Sequence, residues 1–237
     1  MNLKEFRPDF KLIGRIYAIG LPSVIMMAIG SVMTFLMNKI LVAYTAGKET
    51  AVAVFGVYFK LNSFAFMPVF GLNNGVIPII AYNYGAQNRK RMVKAVKVSL
   101  CYALCFMMVG MLLFLAIPGG LLSMFDATEN MLSIGIPALR IISLTFPVAA
   151  VCIVLGSVFQ ALGYSMYSMF TSLARQLIVL VPSAYLLARF GQSIGNDSLV
   201  WWSYPIAEVV SAVATAVLFV RLYKNVIGKI PDGAPTK

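Results

Sequence analysis

Four charged side chains stand inside apolar stretches of this 237-residue chain: Lys60, Arg140, Arg175 and Glu208. Each lies about nine residues from the nearer end of its stretch. At about 1.5 Å of helical rise per residue that is ~13 Å, close to the middle of a ~30 Å hydrocarbon layer. At such depth a charge is too far from either surface to snorkel, so it must face a bundle interior or a wet cavity, where such groups mark ion and substrate paths. Three cations meet one carboxylate. Glu208 can pair with Arg175 or Arg140, or carry a proton or cation itself, and Lys60 can lose its proton when desolvated. The surplus positive charge is to be answered by carboxylates of another protein segment, by an anionic ligand, or by backbone carbonyls freed at prolines. The amides Asn38, Asn62, Asn73, Asn74, Gln160 and Gln176 accompany these charges, as bonds between helices or as the lining of a path.

Other chemistry is excluded by what is missing. The chain has no His, which removes the commonest general base and metal ligand. Cys101, Cys105 and Cys152 all lie in apolar stretches without metal-ligand spacing and read as reduced thiols that pack as small hydrophobes. No cluster of carboxylates exists. The reading is therefore of a protein with no catalytic residues, no metal site and no cofactor, and not of an enzyme.

The elements that must position the charges are helices. With 60% hydrophobic and 11% charged residues and a mean hydropathy of +0.87, the chain lies far from soluble composition, which carries about 25% charge. Six stretches are long and apolar enough to cross a bilayer: 15–44, 51–81, 98–117, 131–159, 166–189 and 199–221. The expected organisation is an all-α, polytopic six-helix transmembrane lobe over 15–224, with a cytoplasmic segment at 1–14 and a cytoplasmic tail at 225–237, disordered from Gly228 to Lys237. The formal charge of +11 arises from cations in the loops. Thirteen of the nineteen fall on one side: Lys4, Arg7, Lys11, Arg15, Arg89, Lys90, Arg91, Lys94, Lys97, Arg221, Lys224, Lys229 and Lys237. That bias predicts both termini in the cytoplasm, a multi-pass protein of the cytoplasmic (plasma) membrane surrounded by lipid, and no nucleic-acid partner.

Within the second span, the run from Pro68 to Arg91 carries Gly71, Asn73, Asn74, Gly75 and Pro78 and predicts an interrupted helix, the arrangement transporters place along substrate paths. Gly71 and Gly75 form a small-xxx-small pair that favours close helix packing. Gly85 is expected to end the helix in the left-handed conformation. Pro147, Pro182 and Pro205 are further hinge candidates, whereas Pro137 reads as a helix start.

The run GLNNGVIPIIAYNYGAQNRKR resembles the second helix and following loop of either half of multidrug and toxic compound extrusion (MATE) transporters. Ile19-Gly20-Leu21-Pro22-Ser23, Phe159-Gln160-Ala161-Leu162-Gly163, Ala174-Arg175-Gln176 with Pro182, and Pro205-Ile206-Ala207-Glu208 are similar to the same family's C-terminal half. The resemblance implies one of two six-helix lobes facing each other across a cleft. It also implies export of drugs, toxins or cationic and amphipathic metabolites, small-molecule substrates exchanged for Na⁺ or H⁺. A fragment, a split-gene product or a protomer of a dimer would each need a second six-helix lobe as partner. A lipid-linked oligosaccharide or polysaccharide flippase of the same superfamily, and a nonfunctional membrane fragment, are the alternatives. One branch of the family carries a carboxylate where this chain has Gly30 and Ser31, and an acid in the fourth helix where Val148–Leu155 has none, so those coupling acids are not in this lobe.

Overall fold

The structure, a computed structural model, describes residues 10–45 and 48–231. Residues 1–9 of the expected N-terminal segment and 232–237 of the tail lie outside the described residues. The chain is built of helices, with no strand among the described residues: α1 (Phe10–Tyr44), α2 (Lys48–Gly85), α3 (Arg89–Ala116), the short α4 (Pro118–Ser123), α5 (Glu129–Ser143), α6 (Phe146–Ala161), α7 (Ser165–Leu173), α8 (Val181–Ile194) and α9 (Ser203–Asn225). A π-helical segment, Ala174–Leu180, joins α7 to α8, and a 3-10 turn, Asp197–Trp202, leads into α9. Five of these helices or helix runs are long and apolar enough to cross a membrane by themselves, and α5 with α6, bent by 49° at their junction, reach that length and apolarity only as a pair.

Chain breaks fall elsewhere than the sequence predicts. Through Pro68, Gly71, Gly75 and Pro78, α2 runs as a single 38-residue helix. Each proline removes one N–H from the ladder, but the turns between the two remain intact and hold the axis. Gly71 and Gly75 make no close helix contact either, because a Cβ built on each would meet nothing within 4 Å. The real interruptions precede other prolines. Ahead of Pro182, the second residue of α8, the ladder loosens into the π segment, which receives a residue that cannot donate and whose ring crowds the carbonyl one turn back. Pro147 is the second residue of α6 and follows the bend at Leu144–Thr145, where the Thr145 hydroxyl donates to the Ile142 carbonyl at 2.7 Å. Pro205 lies in the first turn of α9, where a missing N–H costs nothing, while Pro137 is inside α5 rather than at its start.

Turns between helices are capped as their residues dictate. Asn88 accepts the Arg91 amide at 3.1 Å to start α3, and the left-handed residue of that turn is Gln87 (φ 53°), not Gly85. Gly195 (φ 70°) ends α8, the position that glycine occupies without steric cost. Gly191 is required for another reason: a Cβ there would stand 2.6 Å from the Asn196 carbonyl oxygen.

One apolar core joins α2, α3, α5, α6 and the 3-10 turn ahead of α9, with Phe55, Met107, Leu139, Phe146 and Trp201 fully buried. A second cluster at the basic end gathers Ile80, Met92, Val158, Phe159 and Leu222 with Ile227 and Ile230. Those last two residues hold the chain past α9 against the bundle. Arg89 secures it further, through its amide to the Pro231 carbonyl (3.3 Å) and its Nη1 to the Gly228 carbonyl (3.2 Å). From Gly228 to Pro231 the tail is therefore held on the bundle, where the sequence predicts disorder. Outward, α3 shows Val98, Tyr102, Val109, Leu112 and Leu113, an apolar flank suited to lipid.

A polar cleft with one buried ion pair

The candidate site is a cleft of about 820 Å³ walled by α1, α2, α6, α7, the π segment and α9. Its polar side chains fall at helical spacing on each wall. On α9 they are Tyr204, Glu208, Ser211 and Thr215; on α7 and the π segment they are Ser168, Thr171, Ser172, Arg175 and Gln176; on α2 they are Tyr58, Asn62, Ser63, Asn73 and Asn74. Met26, Met33, Phe66 and Phe70 fill the spaces between them.

At the back of the cleft, Arg175 Nη1 donates to Glu208 Oε2 at 3.3 Å, tying the π segment to α9. The pair is lopsided. The Glu208 side chain is 9% exposed and that of Arg175 28%, so the guanidinium faces the open side and the carboxylate lies behind it. Glu208 Oε1 is buried with no hydrogen-bond partner among the described residues, and so is the Tyr204 hydroxyl one turn earlier on α9. The Tyr204 ring stands edge-on to Tyr58, centroids 5.6 Å apart, and the Tyr58 hydroxyl donates to Asn62 Oδ1 at 3.4 Å. Asn73 Nδ2 donates to the Ile153 carbonyl at 3.4 Å, leaving its Oδ1 buried without a partner. The Ser168 hydroxyl donates to the Gly156 carbonyl at 2.8 Å and pins α7 to α6. A carboxylate with one satisfied oxygen, beside a phenol that can donate, is chemically able to take up a proton or a cation.

The sequence candidates divide. Asn62, Asn74, Gln160, Arg175, Gln176 and Glu208 line the cleft. Lys60 and Arg140 do not: both are exposed on the outside of the lobe. The Lys60 ammonium lies 5.7 Å from the centroid of the Phe125 ring, in the connection between α4 and α5. Arg140 occupies the last turn of α5, where a cation complements the helix dipole. Asn38 is half-buried outside the cleft, with its Oδ1 lacking a partner. Among the hinge candidates, only Pro182 adjoins a break in the cleft wall. Sequence reasoning misses Tyr58, Tyr204, Ser211 and Thr215, although the spacing Tyr204-x₃-Glu208-x₂-Ser211-x₃-Thr215 marks one polar face of a helix. No group of three metal-ligating side chains occurs among the described residues.

An all-helical lobe with an open polar cleft and an apolar exterior defines a polytopic membrane protein of transporter architecture. The sequence model of the MatE family matches residues 22–186, well over half of its length, and the chain belongs to that family. It is similar to the multidrug export protein MepA of Staphylococcus haemolyticus, 26% identical over 211 residues that cover 89% of this chain and 45% of the relative. The Staphylococcus aureus (strain bovine RF122 / ET3-1) protein of the same name is 25% identical over 226 residues, covering 95% and 48%. Among solved structures, a MOP superfamily transporter from Pyrococcus furiosus superposes with a TM-score of 0.84 at 21% identity, over 97% of this chain and 50% of that one. The MATE multidrug transporter DinF-BH superposes with a TM-score of 0.75 at 30% identity, over 92% and 47%. The chain spans about half the length of the relatives it matches, and its fold is one lobe of theirs.

Proposed function

We propose that this chain works as one lobe of a secondary-active exporter of cationic or amphipathic small molecules, completed by a second six-helix lobe and driven by Na⁺ or H⁺. The observation that carries the reading is the cleft itself. Its aromatic and methionine surface suits flat, lipophilic compounds, and its one buried carboxylate supplies a counter-charge for a cation. A polar wall open on one side is costly in lipid, which favours a second protein surface across it. Exposed Gly71, Asn74, Gly75 and Pro78 run along α2 beside the cleft and offer small residues for close approach by such a lobe. Glu208 is the coupling candidate within this lobe, where proton or cation binding competes with Arg175 for the carboxylate.

Orientation follows from charge. Arg89, Lys90, Arg91, Lys94, Lys97, Arg221, Lys224 and Lys229 gather at one end of the bundle, while Glu49, Asp126, Glu129 and Asp197 lie toward the other. The basic end belongs in the cytoplasm and the membrane is the plasma membrane. The decisive experiment expresses the chain, with a six-helix partner lobe of the family, in cells stripped of their own exporters. Accumulation of a fluorescent lipophilic cation is then followed with and without an Na⁺ gradient or an uncoupler. Lowered accumulation that collapses with one of the two gradients supports the reading and names the ion. Unchanged accumulation with both lobes present in the membrane sinks it.

A further inference from the structure

A second concavity, of about 530 Å³, lies between α2 and α3 at the basic end of the bundle. It is separate from the cleft, to which α3 contributes no residue. Its floor and walls are apolar along Leu72, Val76, Ile79 and Val98, and it ends at Arg91 and Lys94, neighbours one turn apart near the start of α3. Both cations are exposed, and neither has an ion pair among the described residues. Among the described residues no carboxylate stands beside them: Glu49, Asp126, Glu129 and Asp197 lie toward the other end of the bundle and Glu208 in the cleft. From Arg91 to Tyr102, which also lines the groove, a helix climbs about 16 Å, the depth of one leaflet of a ~30 Å hydrocarbon core. The Tyr82 hydroxyl, on the 74% exposed ring beside the cationic end, adds a donor at the level where tyrosines meet headgroups.

We propose that this groove binds an anionic glycerophospholipid of the leaflet at the basic end, with one acyl chain lying along Val76, Ile79 and Val98 and the phosphate held by Arg91 and Lys94. An apolar trough of leaflet length that ends in two exposed cations, with no ion pair among the described residues, matches that molecule at both ends: the trough takes the chain, and the cations answer the headgroup charge. A free anion would use only the cationic end, and a zwitterionic lipid would satisfy the trough but carry its own ammonium to the cations. The proposal is measured on this chain by lipid binding, without transport, so its failure and that of the transport reading are told apart.

The test is lipid binding to the purified, delipidated full chain by native mass spectrometry and by thermal unfolding in detergent, comparing phosphatidylglycerol with phosphatidylcholine. Phosphatidylglycerol is expected to bind and raise the unfolding temperature, and phosphatidylcholine to do so far less. Arg91→Gln and Lys94→Gln should each weaken phosphatidylglycerol binding about five-fold and together about thirty-fold, the scale of one and two cations at an anionic headgroup. Lys224→Gln with Lys229→Gln, the same charge loss at the same end, should leave binding nearly intact. Val98→Trp fills the trough while keeping both cations and should also abolish the preference, which separates a shaped site from diffuse attraction. Equal binding of the two lipids, equal loss in the control pair, or undiminished binding in both groove variants overturns the proposal. So does photo-crosslinking from position 98 in membranes that captures another protein segment instead of lipid.

Discussion

Arg175 and Glu208, and Lys60 and Arg140, share the same depth in apolar sequence, but they occupy opposite surroundings. The first two meet at 3.3 Å at the back of the cleft, one stitching the π segment to α9. The second two stand on the outside of the lobe, Lys60 over the Phe125 ring and Arg140 in the last turn of α5. Depth along a helix therefore does not choose a charge's surroundings. The neighbours at three- and four-residue spacing do. Glu208 shares its face with Tyr204, Ser211 and Thr215, and Arg175 shares its face with Ser168, Thr171 and Ser172, so each is one polar group in a polar stripe. The neighbours of Arg140 at that spacing are Ile136, Pro137, Ser143 and Leu144, of which Ser143 alone is polar and turns its hydroxyl to the Arg140 carbonyl at 2.9 Å.

The comparison is most exposed to Glu208→Gln. This change keeps the shape and removes the charge that a proton or cation would share with Arg175. In the proposed two-lobe exporter we expect the initial rate of dye efflux to fall tenfold or more, about the loss of one charge-assisted interaction. Lys60→Gln in the same assay is expected to stay within about two-fold. Reversal of that order would erase the distinction between the pairs. Next in size is Arg175→Ala, which leaves a 9% exposed carboxylate with neither oxygen satisfied. Unfolding in detergent should come about 1–3 kcal/mol easier, below the figure for a sealed ion pair because the guanidinium side is open. Adding Glu208→Ala should restore part of that loss, and a double variant worse than Arg175→Ala alone would show that the pair is not a unit.

Much of the architecture was legible in the sequence, because a bilayer demands length and apolarity: five of the predicted spans have both as helices or helix runs, and the span at 131–159 has them only as the bent pair α5 and α6. The charge bias was equally plain in the composition of the loops. What stayed hidden was sidedness. A lipid-facing wall is as apolar as a helix–helix contact, so α1 to α3 carry little amphipathic signal to orient Lys60 or Asn38. The polar stripe of α9 is readable at a 3.6-residue period and is easily missed, because hydroxyls attract less notice than charges. The continuity of α2 was also not readable from residue types. Pro68 and Pro78 look like breakers, but whether a proline bends its helix depends on the packing around the freed carbonyl, and here α3, α5 and α6 brace α2 along its length. Conversely, the π segment that carries Arg175 and Gln176 is visible only in the geometry, although Pro182 announces that something must give way before it.

The two outer cations give the smaller, finer tests. Arg140→Gln should cost about 0.3–1 kcal/mol in thermal unfolding, the value of a cation at a helix C-terminus, and leave efflux unchanged. Arg140→Lys should keep most of that stability, since the dipole responds to charge rather than to guanidinium geometry. Lys60 tests a narrower contact still. Its ammonium stands 5.7 Å from the Phe125 ring centre in the α4–α5 connection, an exposed cation–π pair of about 0.5–1 kcal/mol. Lys60→Met and Phe125→Leu should each lower stability by that amount, and the double variant should cost less than their sum, since either change already removes the shared contact. Strict additivity would show that the ring and the ammonium do not hold each other. Lys60 would then be free to act elsewhere, and the division between cleft and outer surface would have to be redrawn around it.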